Sequence, residues 1–312
     1  MKKLISPFLL FLAAFIWGIA FVFQKTASFV STLTLLTLRS AIASLFLVFA
    51  VMLFDKLSGN QRRLFSIKNK KIDVSKRELL GGLICGVLLF IASGLQQTGI
   101  SGTDVGKTAF ITTLYVVLVP IFGAFIGRRS PVNSWIGVGI SVIGFYLLCV
   151  KSDFTVEPFD MVVFVCAVFF ALQIMTVDRF IISCDPIRLS LIQFATVSVL
   201  SFAGSLIFES PIDADLIIAA LPDILFLGVF SSGVSFTLQI VGQKNTEPAV
   251  ASIILCLESV IGAIASAIVL HERMLPREYA GAAIVFIAVL IAQLDFKSIG
   301  SKFKKKHTEN PE

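Results

Sequence analysis

Ten long apolar runs alternate with mostly short polar connections along this chain, and a few polar residues lie inside the runs. The runs extend over Pro7–Phe23, Leu33–Phe54, Leu79–Gly99, Val105–Ile126, Ser134–Val150, Met161–Val177, Leu189–Phe208, Ile218–Ile240, Ala249–Leu270 and Tyr279–Leu294. At about 1.5 Å of rise per residue, segments of this length cross a hydrocarbon core of about 30 Å with modest tilt. A helix satisfies its backbone groups internally, and these runs lack the strict alternation of barrel strands, so the expectation is an all-α integral membrane protein with ten transmembrane helices. The first run follows Lys2 and Lys3 as a signal peptide would. It continues too far for a signal h-region, however, and is read as an uncleaved first span.

Composition agrees with the pattern. Apolar residues make up 56% of the chain and charged residues 15%, and 30 phenylalanines are more rings than a soluble surface could hide. The net charge of +6 sits between and after the apolar runs, which argues for basic loops at a membrane and against a nucleic-acid-binding face. With the N-terminus in the cytoplasm, nineteen Lys and Arg residues fall in cytoplasmic connections and four on the opposite side. This bias predicts a multi-pass protein of the cell inner membrane with both termini cytoplasmic. The basic connection between Asp55 and Glu78 is too short for a domain, and the tail from Lys297 reads as a basic cytoplasmic segment that can touch anionic headgroups.

The two halves of the chain resemble each other. At an offset of 143, Ile111 meets Ile254, Leu114 meets Leu257, Tyr115 meets Glu258 and Val117 meets Val260; at an offset near 154, Lys25 meets Arg179 and Arg39 meets Gln193. The implied units are residues 1–150 and 151–296, each of five helices, followed by the tail 297–312. Five is odd, so the second unit enters the bilayer with opposite polarity. Two inverted five-helix repeats of this kind build two similar states around a site near the midplane.

Candidate chemistry lies in the polar residues within the runs. Glu258 comes first, because a carboxyl in the middle of a span is costly and faces a protein interior, a water-filled cavity or a partner. It reads either as an interhelical hydrogen-bonded group or as a contact for solute or proton. Arg39 can bind a carboxylate of a solute, neutralise Glu258 or snorkel to an interface. Thr108, Thr112 and Tyr115 share a helix face at i, i+4 and i+7. Gln97, Gln173, Gln193 and Gln239 supply amides, either as interhelical ties or as part of a site for an amphipathic solute. Trp17 lies deep in its run, as a core ring or a wall of a pathway. Pro120, the glycine-rich third run and Ser231-Ser232-Gly233 are expected places of bending. The five cysteines show no metal or disulfide spacing, His271 and His307 lie outside the runs, and no Walker-type phosphate loop occurs. No cofactor and no catalytic centre are therefore expected.

Several stretches carry a resemblance to the drug/metabolite transporter superfamily, in its EamA-like branch. They are Phe15 to Phe21 in the first run, Leu38-Arg39 in the second, Ile111 to Pro120 in the fourth, Leu257-Glu258 with His271-Glu272-Arg273 around the ninth, and Gly281 to Ile284 in the tenth. The resemblance implies a ten-helix inverted-repeat exporter of amino acids, related metabolites or toxic compounds. Two positions depart from the family pattern, Ser259 in place of a proline after the glutamate and Arg129 in place of a glutamate. The expected function is a secondary transporter moving a small organic solute by alternating access, with protons as a second candidate ligand and the oligomeric state open. The competing reading is a non-transport membrane sensor or assembly protein.

Overall fold

The computed structural model describes residues 2–56, 76–103, 105–128, 130–149, 158–210, 214–269 and 275–293. The basic connection and tail fall largely or wholly outside these, as do Arg129, His271, Glu272 and His307. The described residues are helical with no strand among them. We label the helices α1 (Lys2–Thr26), α2 (Thr32–Lys56), α3 (Lys76–Gly102), α4 (Val105–Phe125), α5 (Val132–Cys149), α6 (Pro158–Ile181), α7 (Pro186–Phe208), α8 (Leu221–Gln243), α9 (Pro248–Val269) and α10 (Pro276–Gln293). A short helix, Ala214–Ala219, precedes α8. Eight of the ten are long and apolar enough to cross a membrane; α5 and α10 carry shorter apolar stretches, Val132–Leu147 and Tyr279–Ile291. Large apolar side chains such as Phe8, Phe49, Val199 and Phe208 are exposed on the outside of the bundle. In a multi-pass membrane protein those faces meet lipid, and the core is formed on the inward stripes.

Helix neighbours follow a simple rule. α5 packs along α10, α2 along α7, α3 along α6 and α7, α1 along α8 and α9, α2 along α8, and α4 along α6 and α9. Advancing every label by five, with α6 following α1 and α1 following α6, returns the same set of pairs. Close approach is possible where side chains are absent. A Cβ on Gly18 of α1 would lie 2.6 Å from the Ile261 Cβ and 2.8 Å from the Glu258 carbonyl oxygen of α9. At the α5–α10 seam, a Cβ on Gly144 would lie 2.9 Å from both the Gly281 carbonyl oxygen and the Val285 nitrogen.

Helix ends are closed by side chains from elsewhere in the fold. The Glu209 carboxylate, just past α7, accepts from the Leu33 and Thr34 amides at 2.6 and 2.8 Å and from the Thr34 hydroxyl at 2.7 Å, satisfying orphan donors at the start of α2. Asp185 caps α7 by accepting from the Ile187 and Arg188 amides, with Pro186 at the first position, where its missing N–H costs nothing. Lys25 donates to the Ile100 and Thr103 carbonyls at the end of α3.

Three spans are irregular. α4 breaks at Leu114 between Val105–Thr113 and Tyr115–Phe125, and α9 breaks at Cys256 between Pro248–Leu255 and Leu257–Val269. At both breaks the bonding tightens to i, i−3: Val117 donates to Leu114, and Ser259 donates to Cys256. In α4 Pro120 follows the break by six residues and can offer no N–H to the Val116 carbonyl. α9 has no such proline; instead the Ser259 hydroxyl also donates to the Cys256 carbonyl, at 2.8 Å. The third irregularity is a π-helical stretch in α8, Leu227–Ser235, which covers the Ser231-Ser232-Gly233 bend expected from sequence. α3, also expected to bend, is one uninterrupted helix despite its glycines.

Candidate functional site

The breaks in α4 and α9 place the first residues of their second halves side by side. Tyr115 opens one half and Glu258 follows the opening of the other, and the Tyr115 hydroxyl donates to the Glu258 carboxyl Oε1 at 3.1 Å. Both side chains are buried. The pair lines a cavity inside the bundle, together with Trp17, Phe21 and Gln24 of α1, Arg39 of α2, Ser93 and Gln96 of α3, Phe170, Gln173 and Ile174 of α6, Ser231, Phe236 and Gln239 of α8, and Leu255 of α9. Seven helices therefore contribute: α1, α2, α3, α4, α6, α8 and α9.

One wall is apolar and aromatic. Trp17 meets Phe236 edge to face at 4.6 Å between ring centroids, and Phe236 meets Phe194 in the same way at 5.2 Å. The Trp17 indole N–H donates to the Ser231 carbonyl in the π-helical stretch at 3.0 Å, which ties α1 to the wide turn of α8. The polar wall is a chain of amides: Gln239 donates to Gln173 at 3.2 Å and Gln173 donates to Gln193 at 3.1 Å.

Of the residues singled out from sequence, Trp17, Arg39, Tyr115, Gln173, Gln239 and Glu258 line the cavity, and Gln97, Thr108, Thr112 and Gln193 do not. Gln193 stands behind Gln173 as its acceptor, and Thr112 accepts from the lining Gln96 at 3.4 Å. Gln97 donates to the Gln24 carbonyl, and Thr108 is fully buried outside the lining. Arg39 is only 4% exposed and so does not snorkel to an interface. Its Nη1 donates to the Gln24 side-chain oxygen at 3.5 Å, and no described carboxylate lies within 4 Å of it. Lys107, at the start of α4, pairs with Asp160 at 2.6 Å.

Phe21, Gln24, Ser93, Phe170 and Phe236 line the cavity without being sequence candidates for it. A signal for the first two was present, since Trp17, Phe21 and Gln24 repeat at i, i+4 and i+7 and so share one face of α1. The apolar run ends at Phe23, which left Gln24 outside the predicted span.

A polar cluster closes one end of the α4–α6 seam, where Arg128 pairs with Asp178. Glu247, before α9, belongs to the same cluster, and burial holds its carboxyl above the ordinary range against the opposing hydrogen bond from Ser130. A raised carboxyl binds its proton more tightly in the folded protein, so its contribution favours folding at low pH and fades as pH climbs from 4.5 through the raised value. Glu247→Gln should remove that slope and raise the melting midpoint at neutral pH by on the order of 1 °C, small because the group is partly exposed and screened. Thermal melts of both proteins at pH 4.5 and pH 7 check this, and an unchanged pH slope in the variant refutes it.

Comparison with known proteins is consistent with this architecture. The EamA-like transporter family matches twice in succession, over residues 4–150 and 158–293. A protein of Archaeoglobus fulgidus described as an uncharacterized transporter is 28% identical over 300 residues, which span 94% of this chain and 87% of its own length. A crystal structure sharing 14% identity superposes with a TM-score of 0.71 over 92% of this chain and 96% of its own, a likeness of fold alone. With the family's repeat matched in both halves of a multi-pass helical bundle, this chain belongs to the EamA-like transporter family.

Proposed function

We propose that this protein is a secondary transporter that exports a small organic solute by alternating access through the cavity holding Tyr115 and Glu258. Its ten helices form two five-helix repeats of opposite polarity, residues 1–150 and 151–296, in a cell inner membrane with both ends of the chain cytoplasmic. The observation that carries the reading is the hydrogen bond between Tyr115 and Glu258, made by residues 143 apart at matching breaks of α4 and α9. In support, the helix neighbours are unchanged when the two sets of five exchange places. Two states of nearly equal energy then follow from one packing scheme, because each half can adopt the arrangement held by the other.

The size of the site supports a moving mechanism. Its volume is about 40 Å³, against the roughly 10–15 Å³ that one water requires. A few waters or one functional group fit between the walls, and a whole metabolite requires the helices to part. Trp17, Phe170 and Phe236 would receive the apolar part of the solute, and Gln173 and Gln239 would orient it. Glu258 provides a polar contact and a seat for a proton.

Counterflow in proteoliposomes tests the reading. Vesicles containing the purified full-length chain are loaded in turn with unlabelled amino acids, other carboxylates and organic cations, and accumulation of the labelled counterpart is followed. Accumulation of at least one solute above protein-free vesicles is expected. Failure of every solute, with a second protein co-purifying, would favour the sensor or assembly reading instead.

A further inference from the structure

We propose that Arg39 is an anion-binding subsite, and that the solute taken by the cavity carries a single carboxylate on an apolar body. The inference rests on the transport reading and narrows it to a substrate class. Arg39 lies on α2 and lines the cavity with its side chain almost wholly buried. A guanidinium has five donors, arranged to hold a carboxylate by two parallel bonds. Here one nitrogen makes a long bond, at 3.5 Å, to the neutral Gln24 amide, and the Nε has no partner. The basic groups at the ends of α4 differ: Lys107 has Asp160 and Arg128 has Asp178.

A buried cation without a counter-charge is costly, and in a protein interior that cost is relieved by an anion with good geometry. Glu258 does not serve, because it is bonded to Tyr115 and lies beyond 4 Å of the guanidinium. A bound solute can bring the missing charge. Arg39 is the only Arg or Lys among the lining residues, so one anionic group fills its fork and a doubly charged phosphate would be left undercompensated. The aromatic wall of Trp17, Phe21, Phe170 and Phe236 then accepts an apolar body and offers a sugar ring little in exchange for its lost water.

Binding to the purified full-length protein in detergent tests this, read by melting shift and by Trp17 fluorescence in a Trp135→Phe background. The probes are 3-phenylpropionate and 4-methylpentanoate, the amide of each, 2-phenylethylamine and inorganic phosphate. At least one carboxylate should bind about 10- to 100-fold more tightly than its amide, the range expected for hydrogen bonds to a charged partner. Arg39→Gln should erase that preference, and Arg39→Lys, which keeps the charge without the fork, should retain part of it. If Arg39→Gln does not fold, the Lys variant decides alone, since an unaltered preference in it removes the fork from the argument. Binding of an amide or the amine as tightly as the carboxylates, preference for phosphate, or no binding by either carboxylate overturns the proposal. Counterflow of solutes without a carboxylate would overturn it too while leaving the transport reading intact.

Discussion

Replacing Glu258 by glutamine should lower the transport rate by about 10- to 100-fold while leaving the folded protein in place. The amide oxygen has nearly the position of the carboxyl oxygen that now accepts from Tyr115 at 3.1 Å, so the tie between α4 and α9 survives. What disappears is the ability to lose and regain a proton and to meet a positive group, interactions worth roughly 1.5–3 kcal/mol for a charged partner. Tyr115→Phe makes the complementary change: it keeps the titratable group and leaves Glu258 without a hydrogen-bond partner, at a cost of about 1–3 kcal/mol in stability. The two variants should therefore part company, the first losing rate and the second losing melting temperature. Counterflow with imposed pH gradients, on samples matched for reconstituted protein, measures the first effect. Wild-type rate and wild-type proton dependence in Glu258→Gln would remove this residue from the mechanism.

The second large effect is expected from a single methyl group. Gly18→Ala places a carbon 2.6 Å from the Ile261 Cβ and 2.8 Å from the Glu258 carbonyl oxygen, closer than packed atoms come, and part of what it meets is backbone. α1 must retreat from α9 or tilt, and overpacking of this kind costs about 1–3 kcal/mol or more. The gain in helix propensity from Gly to Ala, about 1 kcal/mol, offsets only part of it. Gly94→Ala is the control, because nothing lies within 4 Å of the added carbon. Melting curves should show Gly18→Ala several degrees below the wild type and Gly94→Ala level with it or above. Equal stability of the two variants would mean that α1 and α9 are not packed as described.

Apolar run length made the helices legible in the sequence, because lipid imposes one rule on every span and the rule has a fixed length scale. The offset of 143 likewise pointed to Tyr115 and Glu258 as counterparts, and these two side chains are bonded to each other. Breaks inside spans were harder to read. Pro120 announces trouble in α4 through its missing N–H, but the break at Cys256 depends on Ser259 taking a carbonyl with its hydroxyl, and a serine in an apolar helix has many other uses. Which amides reach the cavity was not legible either. Gln193 and Gln173 differ by which one stands in front, and only the packing of α6 and α7 against α3 and α8 decides it. Gln24 was lost because hydropathy ends a span where polarity begins, although the residue's helical face continues inward.

The two equivalent seams, α4 with α6 and α9 with α1, are closed by different materials. The first is pinned at its two ends by Lys107 with Asp160 and Arg128 with Asp178, whose basic members are 28% and 41% exposed; the second closes on Gly18 against aliphatic and main-chain atoms. Ionic strength therefore reaches the first of these seams and not the second. Dissolved salt weakens ion pairs that are partly exposed to it, and a dry glycine contact has no charge for it to screen. The relative strength of the two seams is thus set partly by the electrolyte outside the bilayer.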